Sequence, residues 1–157
     1  MARQKNTRSK PTDAIEMLMA DHEKVRKLFQ SYENTSDRQR KQTIAEQVFT
    51  ELELHSQLEE TVFYPAFEQE ADEAGAQLVA ESLQEHQMVK DLIEELRNIN
   101  AADPDFDGKF HELMQNVQHH VAEEENEMFP EAEEVLEAQA EDLLDEMREL
   151  KKQLLAP

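Results

Sequence analysis

The sequence has no cysteine and no tryptophan, and only 2 glycines and 5 prolines among its 157 residues. Without cysteine, disulfides, iron–sulfur clusters, cysteine-bound zinc and thiol nucleophiles are all excluded. Glycine and proline punctuate chains, whereas the abundant Glu, Gln, Leu and Ala lose little rotamer freedom in a helix, so long helices are favoured over sheets. Long hydrophobic runs are missing too. The longest, Val62 to Phe67, is far shorter than the roughly 20 residues that span a bilayer. No hydrophobic stretch followed by a cleavage site stands at the N-terminus, so the expectation is a cytoplasmic protein without a secretory signal.

Positive charge is scarce: 16 basic residues face 37 acidic ones, a formal net charge of −21. The imbalance is uneven. Arg3, Lys5, Arg8 and Lys10 give residues 1–11 a charge of +4 with no acid, which leaves 12 basic against 37 acidic residues from position 12 onward. Residues 1–11 read as a basic disordered tail. The acidic remainder repels phosphates, so neither nucleic acid nor an anionic membrane is an expected partner.

Apolar residues recur at helical spacing almost throughout. A first helix is expected after Thr12, its cap, to about Tyr32, with Ile15, Leu18, Val25 and Phe29 on one stripe. "ENTSD" interrupts, and Ser36 or Asp37 caps a second helix towards Phe67 that carries Ile44, Val48, Leu52 and Val62. Pro65 should kink it or end its regular part. A third helix covers roughly 76–99 with Val79, Leu83, Val89 and Ile93. After the loop "NAADPDFDG", a fourth carries Phe106, Phe110, Leu113 and Val117 and meets Pro130 late. The expected fold class is all-α, an up-down-up-down four-helix bundle over residues 12–137. An additional C-terminal helix, within 138–157, bears Ala140, Leu143, Met147, Leu150 and Leu154. It could pack on its own bundle, leaving a monomer, or form the seam of a homodimer.

The chain says the same thing twice. "DHEKVRKLF" (21–29) reads like "EHQMVKDLI" (85–93), and "HSQLEETVFYP" (55–65) like "HVAEEENEMFP" (120–130). His22 and His55 are 33 residues apart, His86 and His120 34, and each of His55 and His120 stands ten residues before a proline. Two helical hairpins of similar length therefore build the bundle and bring their polar interruptions together.

Residues four apart on a helix differ by about 40° around its axis. His55 and Glu59 thus share a face, as do His120 and Glu124, and in both cases it is the apolar face. His22 and His86 continue the stripes of the first and third helices. Four histidines and two glutamates project inward at one level. Such groups cost several kcal/mol each when buried unless paired or metal-bound. Imidazole with carboxylate suits Fe, Mn or Zn, whereas Ca and Mg prefer oxygen alone. Two ions sharing two carboxylates would each have four protein donors and keep places for a solvent-derived bridge and a small ligand. One His/Glu pair would mean little in so acidic a chain, as His119 and Glu123 illustrate. The repetition of pair, proline and upstream histidine carries the argument. His119 and His111 read as outlying residues; Glu60 and Glu125 are placed facing solvent ahead of the alternative of hydrogen-bonding the ligands, and Tyr32 and Tyr64 in the core ahead of the alternative of reaching the site.

The order His … His-x-x-x-Glu-Glu … Pro … Glu-His … His-x-x-x-Glu-Glu … Phe-Pro resembles the hemerythrin-like, or HHE cation-binding, family over roughly residues 13–135. The resemblance implies a non-haem di-iron centre, with His22 and His55 on one iron, His86 and His120 on the other, and Glu59 and Glu124 bridging. Oxygen-carrying members have a second histidine four residues from the one on the third helix. Here those neighbours are Ser82 and Lys90, which points away from reversible oxygen transport. The implied function is binding of, or reaction with, dioxygen, hydrogen peroxide or nitric oxide, with catalase-like peroxide decomposition as its enzymatic form. The alternative is a non-catalytic iron or redox sensor or iron-handling module. Iron–sulfur repair would need cysteines, and a ferritin-like oxidase would need Glu-x-x-His, which is absent.

Overall fold

The structure, a computed structural model, describes residues 10–157, so the basic segment read as a tail lies almost wholly outside the described residues. All regular elements among these are helical. The first hairpin is α1 (Ala14–Glu33) and α2 (Arg38–Leu58), the latter running on through a π-helical turn (Glu59–Phe63) into α3 (Tyr64–Glu70). The second is α4 (Glu73–Arg97) and α5 (Phe106–Glu123), again followed by a π-helical turn (Glu124–Met128) and a short α6 (Phe129–Val135). A single 3-10 turn leads into α7 (Ala140–Leu155). No described helix is long and apolar enough to cross a membrane.

Helix starts follow capping chemistry. Asp13, not Thr12, caps α1: its carboxylate accepts from the Glu16 N–H at 2.9 Å, while Glu16 reaches back to the Thr12 N–H at 2.7 Å. Asp37 caps α2, and Asp72 caps α4 by accepting from Gly75.

The regular part of each helix ends before its proline, and the turn before each proline widens. In an α-helix, Pro65 would clash with the carbonyl four residues back and leave it unbonded. Here the Tyr64 N–H bonds the Glu59 carbonyl and the Phe129 N–H bonds the Glu124 carbonyl, five residues back in both hairpins. The extra residue shifts the register. Val62, expected on the buried stripe, is only half-buried, and Phe63 and Tyr64 are buried in its place. Leu83 is likewise misplaced by the sequence reading: it is 42% exposed, and Ser82 is buried beside it.

Two apolar clusters fill the bundle. One holds Val25, Phe29, Phe49, Leu52, Val89, Phe110 and Val117; the other holds Leu18, Leu58, Phe63, Phe67, Met128 and Phe129. Burying each large side chain contributes about 1.5–3 kcal/mol. The second cluster includes Leu143, Leu144 and Met147, so α7 lies along its own chain against α1, α2 and the first π-turn.

Candidate metal centre

Between the two clusters lies a layer of buried polar groups: His22, His55, Glu59, Ser82, His86, His120 and Glu124. All six residues expected from the sequence are brought together there. His22 and His55 pack with ring centroids 4.9 Å apart, and His86 and His120 with centroids 4.8 Å apart. Each carboxylate touches one histidine of each pair. Glu59 Oε1 lies 3.3 Å from His55 Nε2 and 3.1 Å from His86 Nε2; Glu124 Oε1 lies 3.0 Å from His22 Nε2 and 3.5 Å from His120 Nε2.

Every ring presents Nε2 inward and turns Nδ1 to an outer carboxylate. His22 Nδ1 meets Glu125 at 2.8 Å, His55 Nδ1 meets Asp21 at 2.9 Å, His86 Nδ1 meets Glu60 at 2.8 Å and His120 Nδ1 meets Glu85 at 2.8 Å. An Nδ1–H donated outward leaves the Nε2 lone pair facing in, the tautomer that a metal-binding imidazole needs. The rule is compact: the acid before His22 and before His86 serves the histidine on the next helix, and the acid after each inward glutamate serves the first histidine of the other hairpin. Glu60 and Glu125 were expected to face solvent. They hold the rings instead, and their repetition next to the inward glutamates was the available signal.

Tyr64, placed in the core ahead of the alternative of reaching the site, does reach it. Its hydroxyl donates to Glu124 Oε2 at 2.5 Å and lies 3.2 Å from Glu59 Oε1 and 3.3 Å from His86 Nε2. Five residues on an α-helix would put Tyr64 about 140° from Glu59; the π-turn brings both to one side. Tyr32 is remote and donates to Asp107 at 2.6 Å. His119 is 67% exposed beside Glu123, and His111 is exposed.

The inner atoms fit a cation. His22 Nε2, His55 Nε2, Glu59 Oε2 and Glu124 Oε1 are buried without a well-directed hydrogen bond, although His22 Nε2 and Glu124 Oε1 are 3.0 Å apart. His86 Nε2 and His120 Nε2 face each other at 3.1 Å, where two lone pairs repel unless a proton or cation lies between them. Two overlapping donor groups result: His22, His55, Glu59 and Glu124, and Glu59, His86 and His120. Electrostatics agrees. Burial pushes the His120 imidazole down, but the Glu124 charge and bonds to Glu59 and Glu85 outweigh it and raise its pKa to about 10. His55 is raised well above its ordinary value against the same burial, mainly by the Glu59 charge and Asp21. Burial pushes Glu59 up, yet the His55 charge and its hydrogen bonds hold it well below the usual carboxylate range. The centre is built to hold positive charge, and a bound cation would displace protons from it.

A helical bundle with an inward layer of four imidazoles and two carboxylates defines a cation-binding class of protein. The comparisons agree. The hemerythrin HHE cation binding domain matches residues 13–132, and again 84–156. This chain belongs to the hemerythrin HHE family. It is 31% identical over 121 residues to an uncharacterized hemerythrin-like protein of Schizosaccharomyces pombe, covering 77% of this chain and 60% of that one. It is 30% identical over 114 residues to a DNA nickase of Nostoc, covering 73% of this chain but 32% of the relative. The chain thus spans less than two thirds of either relative. A solved hemerythrin HHE domain protein from Mycobacterium kansasii shares the fold with a TM-score of 0.77 at 23% identity, over 91% of this chain and 87% of that one.

Proposed function

We propose that the centre holds a pair of non-haem iron ions, with Mn or Zn as substitutes, and binds or reacts with dioxygen, hydrogen peroxide or nitric oxide. The observation that carries this reading is the set of four Nε2 atoms aimed inward, each ring held by a carboxylate on Nδ1. His22 and His55 would hold one ion, His86 and His120 the other, with Glu59 and Glu124 reaching both. The ions would supply the redox chemistry and the open positions for a small ligand. The chain's own residues orient the donors, keep water out with the two apolar clusters, and hold a proton on the Tyr64 hydroxyl beside Glu124. Peroxide decomposition is the enzymatic form of this reading.

A second reading, a sensing or iron-handling module, draws support from the Nostoc relative, in which the matched region is 32% of a longer chain. DNA nicking itself is not carried over, because 37 acidic against 16 basic residues oppose nucleic acid. Metal analysis of the purified protein, with absorption spectra before and after peroxide or nitric oxide, tests the proposal. Two irons per chain and a ligand-dependent spectrum are expected; a metal-free protein would sink it. Peroxide consumption in proportion to iron content selects the enzyme over the module.

A further inference from the structure

His119 and Glu123 mean little as a pair in so acidic a chain, but the fold sets a third donor against them. The two share a face of α5, four residues apart, and Glu85 reaches them from α4. His119 Nε2 lies 3.0 Å from Glu123 Oε1 and 3.6 Å from Glu85 Oε2. One ligand atom from each of the three residues lies within 4.8 Å of the other two. Glu85 is anchored from below, because its other oxygen, Oε1, meets His120 Nδ1 at 2.8 Å. One carboxylate thus has an oxygen on the buried layer and an oxygen on the surface.

The repeat does not demand this arrangement. The equivalent positions in the first hairpin are Asp21, Leu54 and Leu58. Asp21 still holds a ring, that of His55, but Leu58 is fully buried in the apolar cluster that includes Met147. α7 packs on α2 and the first widened turn, which accounts for leucines there. On α5 the matching face meets solvent: His119 is exposed and Glu123 half-buried. Exposure accounts for polar residues on that face. It does not account for one imidazole nitrogen set between two carboxylates, since an Nε2–H can direct its bond at only one of them.

We propose that Glu85, His119 and Glu123 form an outer site for a single borderline divalent ion, such as zinc, joined to the buried layer through Glu85. Such an ion sits about 2.0–2.2 Å from imidazole nitrogen and carboxylate oxygen, which sets neighbouring donors about 3.4 Å apart in a tetrahedron. The two distances from His119 bracket that value. An ion there engages both carboxylates and offsets the repulsion between them. The imidazole selects zinc, cobalt or iron over calcium and magnesium, which prefer oxygen alone. Three donors on an open face leave a place for water. The outer site stands apart from the oxidant-binding reading and does not need it.

The test counts zinc bound to the full chain after equilibrium dialysis at neutral pH. The wild-type chain should hold one more zinc ion than His119→Ala or Glu123→Gln, whatever the buried layer holds, because neither variant alters an inward residue. His111→Ala removes another exposed histidine of α5. Four residues to either side of it stand Gln115 and Asp107, and Asp107 is already bonded by Tyr32, Arg38 and Lys41. That variant should bind zinc like the wild type. Equal zinc in the wild type and His119→Ala overturns the site. So does an equal loss in His111→Ala, or displacement of the zinc by excess magnesium, since either assigns the ion to the acidic surface at large. In zinc-soaked crystals, anomalous scattering should place an ion against His119 Nε2; no peak there overturns the site too. A chain that takes up no iron yet keeps the difference between wild type and His119→Ala loses the oxidant-binding reading and keeps the outer site.

Discussion

The two hairpins are near copies where they meet the centre and differ just beyond it. Both bring a histidine, a second histidine and a glutamate inward, both widen the turn at the glutamate, and both place a proline six residues after it. An aromatic ring follows each widened turn. In the second hairpin Phe129 stacks on His22, with centroids 5.6 Å apart; in the first Tyr64 stacks on His86 at 5.4 Å and adds a hydroxyl aimed at both carboxylates. Arg97 and Lys90 tie α4 to α2 and the first widened turn, whereas a groove lined by Arg26, Phe29 and Gln118 among others lies between α1 and α5. The shared parts are the buried His and Glu groups that could hold a cation. The differing parts make the two sides of the buried layer chemically unequal.

Removing a shared part should have the largest effect. Glu59→Ala or Glu124→Ala deletes a carboxylate that touches both histidine pairs, and each variant should retain at most one iron per chain by metal analysis. Two irons retained by both would break the equivalence of the two glutamates and the assignment with it. Asp21→Asn and Glu85→Gln remove matching outer carboxylates, from His55 and His120 respectively. Each should weaken metal affinity about 10–100-fold in chelator competition, and by similar factors. Unequal losses would show that the hairpins hold their ions differently.

Tyr64→Phe makes the first hairpin copy the second. Its hydroxyl is the 2.5 Å partner of Glu124, so the metal-free variant should lose about 1–3 kcal/mol in urea unfolding. The smallest effect is expected away from the centre. Asp107 stands where the first hairpin has Gln42. Burial raises its pKa, but bonds from Tyr32, Arg38 and Lys41 outweigh this and hold it at about 2. A depressed carboxylate stabilises above its unfolded pKa of about 3.9 and stops doing so as pH falls through the folded value. Asp107→Asn should therefore lower Tm at pH 7 by a margin that shrinks between about pH 4 and pH 2. A margin independent of pH would assign it to lost packing.

The family, the bundle and the six inward residues were legible because they rest on periodicity and on a repeat, both of which survive in a bare string of letters. The π-turns were not. Helix propensity does not distinguish a wide turn from an α-turn, and the prolines six residues after Glu59 and Glu124 read as ordinary breakers. The hidden insertion explains the misplacing of Val62 and why core packing was favoured for Tyr64 over a reach to the carboxylates. Glu60, Glu85, Asp21 and Glu125 were masked for a different reason. In a chain with 37 acidic residues, an acid next to a histidine carries little information until its partner across the bundle is known. Leu83 was assigned by stripe geometry alone, which cannot say where neighbouring helices end their cover.

The C-terminal helix leans on α1, α2 and the first widened turn, and Leu143, Leu144 and Met147 share an apolar cluster with Phe63 and Leu58. It packs more extensively on the first of two otherwise matching turns than on the second. Backbone amides open to solvent at a rate set by the packing laid over them. In deuterated water, residues 59–63 should therefore hold their protons longer than residues 124–128. Shortening α7 should bring the two turns to the same exchange rate.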